Sequence, residues 1–569
     1  MPEQGSIRIT AGMAEKGLGN LTNRGIAVEL VPKIMNRRPE VYSTEKELKS
    51  LIGNRLGWVD VASMMKGRIT EIEKFGQKAL ADGIKHVVLV GMGGSSLCPE
   101  VFKLVYGKHK RLKSFDVLDS TDPSAVAKLV RRIDVCKSLF IIASKSGGTL
   151  ETRSHEAFFI ERLKEAGVKN TGSHMAAITD KGSSLEKFAV EHKYRKVFIN
   201  PSDIGGRYSA LSYFGLVPGY FAGANLARIV DDGIFMEQLV RSRRDDTNPA
   251  LILGALLGAS FRLRRNKITF LSTRSCAPFV PWIEQLIAES TGKQHRGIVP
   301  IEGEPVGQPE DYSRDRIFVM FRMAGEHYSA SLLQGLVKQK APVVEITLGG
   351  PHELGRQFVL WEAATAVAGY FLRINPFDEP NVTESKENTN KLLAIRQQCG
   401  RFPFEVPLAD WGKLALLAAP KGLPANGDPV KFLKRFMVSC KSPSYFSLLG
   451  YFGRDARAEQ ELSRVRTLVR GKRHVATLRG YGPRFLHSIG QLYKGGPKQG
   501  IFVVFVKKRY GNLPIPGRPF DFGQLITAQA FGDSQALIKR RLPTLVFSID
   551  GNVGDGLAHF YRLLHSALA

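Results

Sequence analysis

Short apolar runs rich in β-branched residues alternate along this chain with helix-length amphipathic stretches, which confines it to α/β architectures built on parallel sheets. The runs are His86 to Val90, Leu139 to Ala143, Ala176 to Thr179, Lys267 to Ser272, Ile317 to Phe321 and Val343 to Thr347, each bounded by Gly, Ser, Thr or charged residues. Their length and flanks read as buried strands, and the patterns between them, such as Ser183 to His192 and Gln357 to Gly369, read as helices. Ligands of such sheets gather beyond the carboxyl ends of the strands. The segments that directly follow strands are therefore where chemistry is expected.

With 569 residues the chain has room for three or four domains. Residues 1–55 read as a helical lead-in with a helix start at Ser43-Thr44-Glu45, 56–230 and 231–400 as two doubly wound parallel-sheet domains, and 401–569 as a linker and a further α/β segment. Within the last, Trp411 to Ala419 is expected to form an apolar helix, and Ile501 to Val506 and Thr544 to Ser548 to be strands on either side of a helix from Phe522 to Lys539. Five scattered cysteines without a C-x-x-C pair, no membrane-length apolar run and no signal-like start predict a cytoplasmic protein with no membrane contact. The formal net charge of +28 favours anionic partners, and residues 407–569 alone hold 25 Lys and Arg against 9 Asp and Glu. The basic residues are dispersed and no nucleic-acid-binding motif accompanies them. Nucleic acid is thus disfavoured, and small phosphate esters are the expected anions.

Six segments carry candidate chemistry. Gly91-Met92-Gly93-Gly94-Ser95-Ser96 follows the first strong strand, where missing β-carbons let backbone N–H groups approach a ligand, with Gly94 and Ser95 as candidate contacts. It matches neither a dinucleotide-binding nor a nucleotide-binding glycine pattern, so no cofactor is called for. Ser144-Lys145-Ser146-Gly147-Gly148-Thr149 follows the next strand and opens a helix. Its hydroxyls, lysine and free helical N–H groups suit a phosphate, with Ser144, Lys145, Ser146 and Thr149 as the binding set. Arg207, in Gly205-Gly206-Arg207-Tyr208-Ser209, can stabilise developing negative charge, and Glu289, at the end of an apolar helical run, suits a general base. Lys386 follows the rigid turn Asn375-Pro376-Phe377-Asp378-Glu379-Pro380, and His487 lies in Tyr481-Gly482-Pro483-Arg484-Phe485-Leu486-His487-Ser488. Taken singly, each also has a structural explanation: a turn, a cap, an ion pair or a surface charge. No His, Asp or Glu spacing suggests a metal site.

In order, GMGGSS, SKSGGTLET, GGRYS, ESTGK and FDEP followed by Lys386 resemble the motif series of the phosphoglucose isomerases, a family of paired sugar-isomerase (SIS) α/β domains. The closest resemblance is to the isomerase part of bacterial bifunctional transaldolase/phosphoglucose isomerases, with the transaldolase part missing. The resemblance implies reversible isomerisation of D-glucose 6-phosphate and D-fructose 6-phosphate through a cis-enediolate, without cofactor, by a homodimer. It implies that Ser95, Ser144, Lys145, Ser146 and Thr149 surround the phosphate and sugar and that Glu289 moves the proton between C2 and C1. Arg207 would hold the enediolate oxygens, and Lys386 and His487 would assist ring opening. In the family the histidine motif precedes the FDEP-like motif, whereas His487 here follows Lys386 by about 100 residues. His295, close in sequence to Glu289, is the histidine that could substitute for it. The alternative reading is a non-catalytic SIS-type phosphosugar-binding protein.

Overall fold

A computed structural model of the chain describes residues 6–10, 12–22, 25–242, 247–425 and 427–569. Three sheets organise it. The first runs Ser114–Leu118, His86–Gly91, Ser138–Ala143, Met175–Asp180, Lys196–Asn200 in spatial order, all parallel. Its side chains alternate between two cores: Val87, Leu89, Leu139 and Ile141 on one face, Val88, Val90, Phe140 and Ile142 on the other. A sheet covered on both faces has no polar side, which is why these strands read as unbroken apolar runs.

The core on one face joins the first sheet to the helices around the second. The second sheet has the order Ser6–Thr10, Val343–Leu348, Arg316–Met323, Lys267–Ser272, Val299–Ile301. Helices Leu226–Ser242, Pro249–Arg262 and Leu354–Leu372 fill the space between, and Leu354–Leu372 is buried nearly all round. The lead-in is not wholly helical: Ser6–Thr10 pairs antiparallel with Val343–Leu348 and closes the edge of this sheet. The helix expected near Ser43 runs Lys46–Gly53.

The core on the other face joins the first sheet to a third sheet of six strands, in the order Ala409–Asp410, Leu414–Ala418, Thr544–Ile549, Gly500–Lys507, Tyr445–Tyr451, Ala476–Tyr481. The expected helix at Trp411 to Ala419 is absent. Leu414–Ala418 is instead a strand, antiparallel to Thr544–Ile549, because backbone pairing along an open sheet edge overrides the weak local preference of a Leu/Ala-rich run. The last four strands are parallel and their helices cover both faces. Hydrogen bonds to a buried ion pair tie this unit to the second sheet. Arg316 donates to Glu304 at 2.6 Å, and the same carboxylate accepts from the backbone and hydroxyl of Thr477, each at 2.7 Å. Breaking one partner of such a pair leaves a buried charge uncompensated, so the third unit is a fixed part of the molecule. Among the described residues no helix is long and apolar enough to cross a membrane.

Candidate functional site

Backbone crowding at two glycines brings separate motifs together. Gly93, directly after strand His86–Gly91, has φ +56°, and a β-carbon there would lie 2.4 Å from the His487 carbonyl oxygen. A β-carbon on Gly94 would lie 2.1 Å from the carbonyl oxygen of Gly206. Only glycine lets this turn seat the His487 and Arg207 loops at once. Ser95 is buried beside them.

The hydroxyl loop follows strand Ser138–Ala143 and ends at Thr149, the cap residue of helix Leu150–Glu165. Ser144 Oγ and Thr149 Oγ1 are 3.0 Å apart, and the Thr149 side chain makes no capping bond to the helix N-terminus. Ser146 is exposed and its Oγ accepts from Gly148 N at 3.4 Å. Lys145 folds back: its ammonium pairs with Asp180 and donates to the Ser202 carbonyl at 2.8 Å. Hydroxyls, amides and one lysine thus ring the helix N-terminus, with the lysine anchored at the side.

Arg207 and Glu289 meet in the interior. Glu289 sits in the last turn of helix Val280–Thr291, one turn after Gln285 and among buried neighbours. Its Oε2 lies 3.7 Å from Arg207 Nη1 and accepts from Gln285 Nε2 at 3.2 Å. Burial pushes its pKa up to about 7; Arg207 and Lys293 pull it down and Glu379 adds to the rise, so burial prevails. Arg207 is held on every side. Its Nε donates to Ser290 Oγ at 2.8 Å, Nη1 to Glu379 at 2.9 Å, and Nη2 to the carbonyls of Pro376 and Asp378 at 2.8 and 3.0 Å. The structural explanation, an ion pair at a turn, is thus partly right. Four of five donors serve the protein, and the fifth, on Nη1, is left on the side of Glu289. Lys293 completes the cluster, bonded to Asp378 Oδ1 at 2.6 Å, and burial together with Arg207 pushes its pKa down to about 8.

His487 reaches this cluster despite its distance in sequence. Its Nε2 lies 3.0 Å from Glu151 Oε1, in the first turn of the helix that the hydroxyl loop opens. Its carbonyl accepts from Gln285 Nε2 at 2.8 Å. Hydrogen bonds therefore run unbroken from Glu151 through His487 and Gln285 to Glu289. Burial alone would raise the Glu151 carboxyl, but His487 and, through space, Lys386 hold it below its usual range. Gln491 binds the remaining motifs: its Nε2 donates to the Gly292 carbonyl at 2.8 Å and to Asn381 Oδ1 at 2.9 Å, and its Oε1 accepts from Asn381 N at 2.9 Å. The fold brings these segments, far apart in the chain, to one place.

Two sequence-derived candidates lie differently from the rest. Lys386, on helix Val382–Cys399, is exposed and acts on Glu151 across space. A second buried lysine, besides Lys293, is Lys494, whose Nζ donates to Ser385 Oγ at 2.6 Å and lies 3.8 Å from Asp533. Burial lowers its pKa, while Asp533 and Glu289 act the other way. His295 is exposed, its backbone N–H bonded to the Gly495 carbonyl, and it takes no part in the cluster. Among the described residues no group of three or more His, Cys, Asp or Glu side chains is placed to hold a metal. A cleft of about 570 Å³ between the first and third units, lined by Glu100, Asp116, Arg454 and Lys507 among others, contains none of these groups. The candidate site is defined by these side chains and not by that cleft.

The model of the family described as phosphoglucose isomerase matches residues 59–301, which takes in the glycine turn, the hydroxyl loop, Arg207 and Glu289 but neither Lys386 nor His487. A glucose-6-phosphate isomerase of Cyanothece sp. is 25% identical over 445 residues, covering 71% of this chain and 82% of that protein. One from Leptospira biflexa is 27% identical over 394 residues, covering 60% and 87%. Among solved structures, a hypothetical protein from Thermus thermophilus superposes with a TM-score of 0.58 at 25% identity, over 68% of this chain and all of that one. A glucose-6-phosphate isomerase from Chlamydia trachomatis, 19% identical, shares the fold with a TM-score of 0.52, over 68% of this chain and 86% of that one. With its motif loops gathered round one buried carboxylate and arginine, residues 59–301 of the chain match the phosphoglucose isomerase family.

Proposed function

We propose that this protein is a glucose-6-phosphate isomerase, interconverting D-glucose 6-phosphate and D-fructose 6-phosphate. The observation that carries the reading is the Glu289 carboxyl, buried, pushed up to about 7 and 3.7 Å from Arg207. Taking a proton from carbon beside a carbonyl needs a base matched to neutral pH and a fixed positive charge for the oxygen that becomes anionic. The phosphate sits at the N-terminus of helix Leu150–Glu165 among Ser144, Lys145, Ser146 and Thr149, with Ser95 and the Gly94 backbone alongside. His487, paired with Glu151, carries the ring-opening proton: the anomeric O–H loses its proton, the ring C–O bond breaks and the ring oxygen gains one. Lys386 adds positive charge at this end. Glu289 then shuttles a proton between C2 and C1, and Arg207 stabilises the enediolate through its remaining N–H and its charge.

The test is formation of glucose 6-phosphate from fructose 6-phosphate by the purified chain, read through a coupled dehydrogenase. Turnover that vanishes in Glu289→Gln supports the reading. Thermal stabilisation by fructose 6-phosphate with no turnover would establish instead a phosphosugar-binding protein. The same reading makes the protein a cytoplasmic homodimer, a state that light scattering on the purified chain decides.

A further inference from the structure

The Glu151 carboxylate has a second partner, supplied by the third unit. Gln529, in the middle of helix Phe522–Lys539 and 2% exposed, donates through Nε2 to Glu151 Oε1 at 2.7 Å. Its own Oε1 accepts from the hydroxyl of Thr121 at 2.8 Å, and Thr121 is fully buried at the end of the loop after strand Ser114–Leu118. The chemistry fixes the direction of this relay. An ionised carboxylate can only accept, so the amide must turn its NH₂ to Glu151 and its oxygen to the threonine hydroxyl. Thr121, Gln529, Glu151 and His487 therefore form one chain of hydrogen bonds that starts in the first unit, crosses into the third, returns and ends on the imidazole.

Each link restrains the next. Glu151 Oε1 receives two donors from different elements, so its plane and its distance to His487 are set by both. Donors to the charged form also favour that form, and an ionised Glu151 is what the imidazole needs when it holds a second proton. Gln529 comes from a helix that belongs to the third unit, as does His487 itself, so the pair is correct only when the first and third units are docked.

We infer that Gln529, oriented by Thr121, is a positioning residue for the Glu151 and His487 pair and thereby for sugar-ring opening, a role that rests on the isomerase reading. Its effect is confined to the ring-opening half of the reaction. Enediolate chemistry at Glu289 and Arg207 does not depend on it directly.

Two substrates separate the halves. Fructose 6-phosphate must be opened before it reacts, whereas 5-deoxy-D-fructose 6-phosphate lacks the hydroxyl that closes the ring and is always open. Deuterium uptake at C1 of that analogue in D₂O, followed by NMR, reads the Glu289 step alone. Gln529→Met keeps the volume and removes the donor; Thr121→Val keeps the shape and removes only the hydroxyl that orients the amide, which guards against a failure of the first variant to fold. Losing a hydrogen bond to a charged group predicts a fall in kcat for fructose 6-phosphate of about 10-fold or more in Gln529→Met and a smaller fall in Thr121→Val. C1 exchange of the open analogue stays within about 2-fold of wild type in both. A loss shared equally by both substrates, or no loss in either variant, overturns the inference. A wild-type protein that neither isomerises the one nor exchanges the other overturns the isomerase reading itself.

Discussion

Replacing Glu289 by glutamine should make the protein inactive and more stable at the same time, and the stabilisation should depend on pH. The carboxyl is raised from an ordinary 4.5 to about 7, mainly by burial. The folded state therefore binds this proton more tightly than the unfolded chain. Its favourable contribution is complete below about pH 4.5 and is lost as pH rises toward 7, because above that range folding must keep a charge in a poorly solvated place. A shift of that size corresponds to about 3 kcal/mol at pH 8 and almost nothing at pH 4, at 1.36 kcal/mol per pH unit. Glutamine imitates the protonated form and escapes the penalty. For a chain of this length, 3 kcal/mol is roughly 2 to 3 °C in Tm. Scanning calorimetry of wild type and Glu289→Gln at pH 4.5 and pH 8 should show matching midpoints at the lower pH and a higher one for the variant at pH 8, while kcat falls by about 10²–10⁴. Equal midpoints at both values, or a variant less stable at pH 8, would refute the claim that burial dominates this carboxyl.

Other outcomes follow from the same geometry. Ser144→Ala with Thr149→Val should raise KM for fructose 6-phosphate and weaken competition by inorganic phosphate, with kcat changed far less, because the proposed role of these hydroxyls is to grip a part of the substrate that does not react. Lys293→Met removes a positive neighbour that lowers the Glu289 pKa, so the acidic limb of kcat/KM should move to higher pH; an unmoved limb would mean another group sets it. Lys386→Met and Lys494→Met distinguish an exposed from a buried lysine. Loss of activity mainly in the former supports a direct role in ring opening, whereas loss mainly in the latter transfers that role to the side chain bonded to Ser385.

Legibility in the sequence followed burial. Strands sealed on both faces, such as His86–Gly91 and Lys267–Ser272, declared themselves as unbroken apolar runs. Leu414–Ala418 did not, because a run without a β-branched residue has no strand signature until a partner strand is placed beside it. Ser6–Thr10 was hidden by its isolation, a five-residue strand whose partner lies more than 300 residues away. The candidate site groups were readable as motifs because glycines, hydroxyls and charges are conspicuous next to strands. The neutral amides that hold them were not: Gln285, Gln491 and Gln529 are unremarkable letters on helices, and only the fold shows that each closes a gap between motifs. Glu151 stood in plain view two residues after Thr149, yet its role depends on a histidine that the chain delivers 336 positions later.

Fructose 6-phosphate incubated with the protein in D₂O and watched by NMR addresses the mechanism directly. Proton transfer by Glu289 predicts glucose 6-phosphate carrying solvent deuterium at C2, and predicts that both product and label disappear in Glu289→Gln. Glucose 6-phosphate formed without any deuterium, as a direct hydride shift would give, or formed undiminished by the variant, contradicts the account.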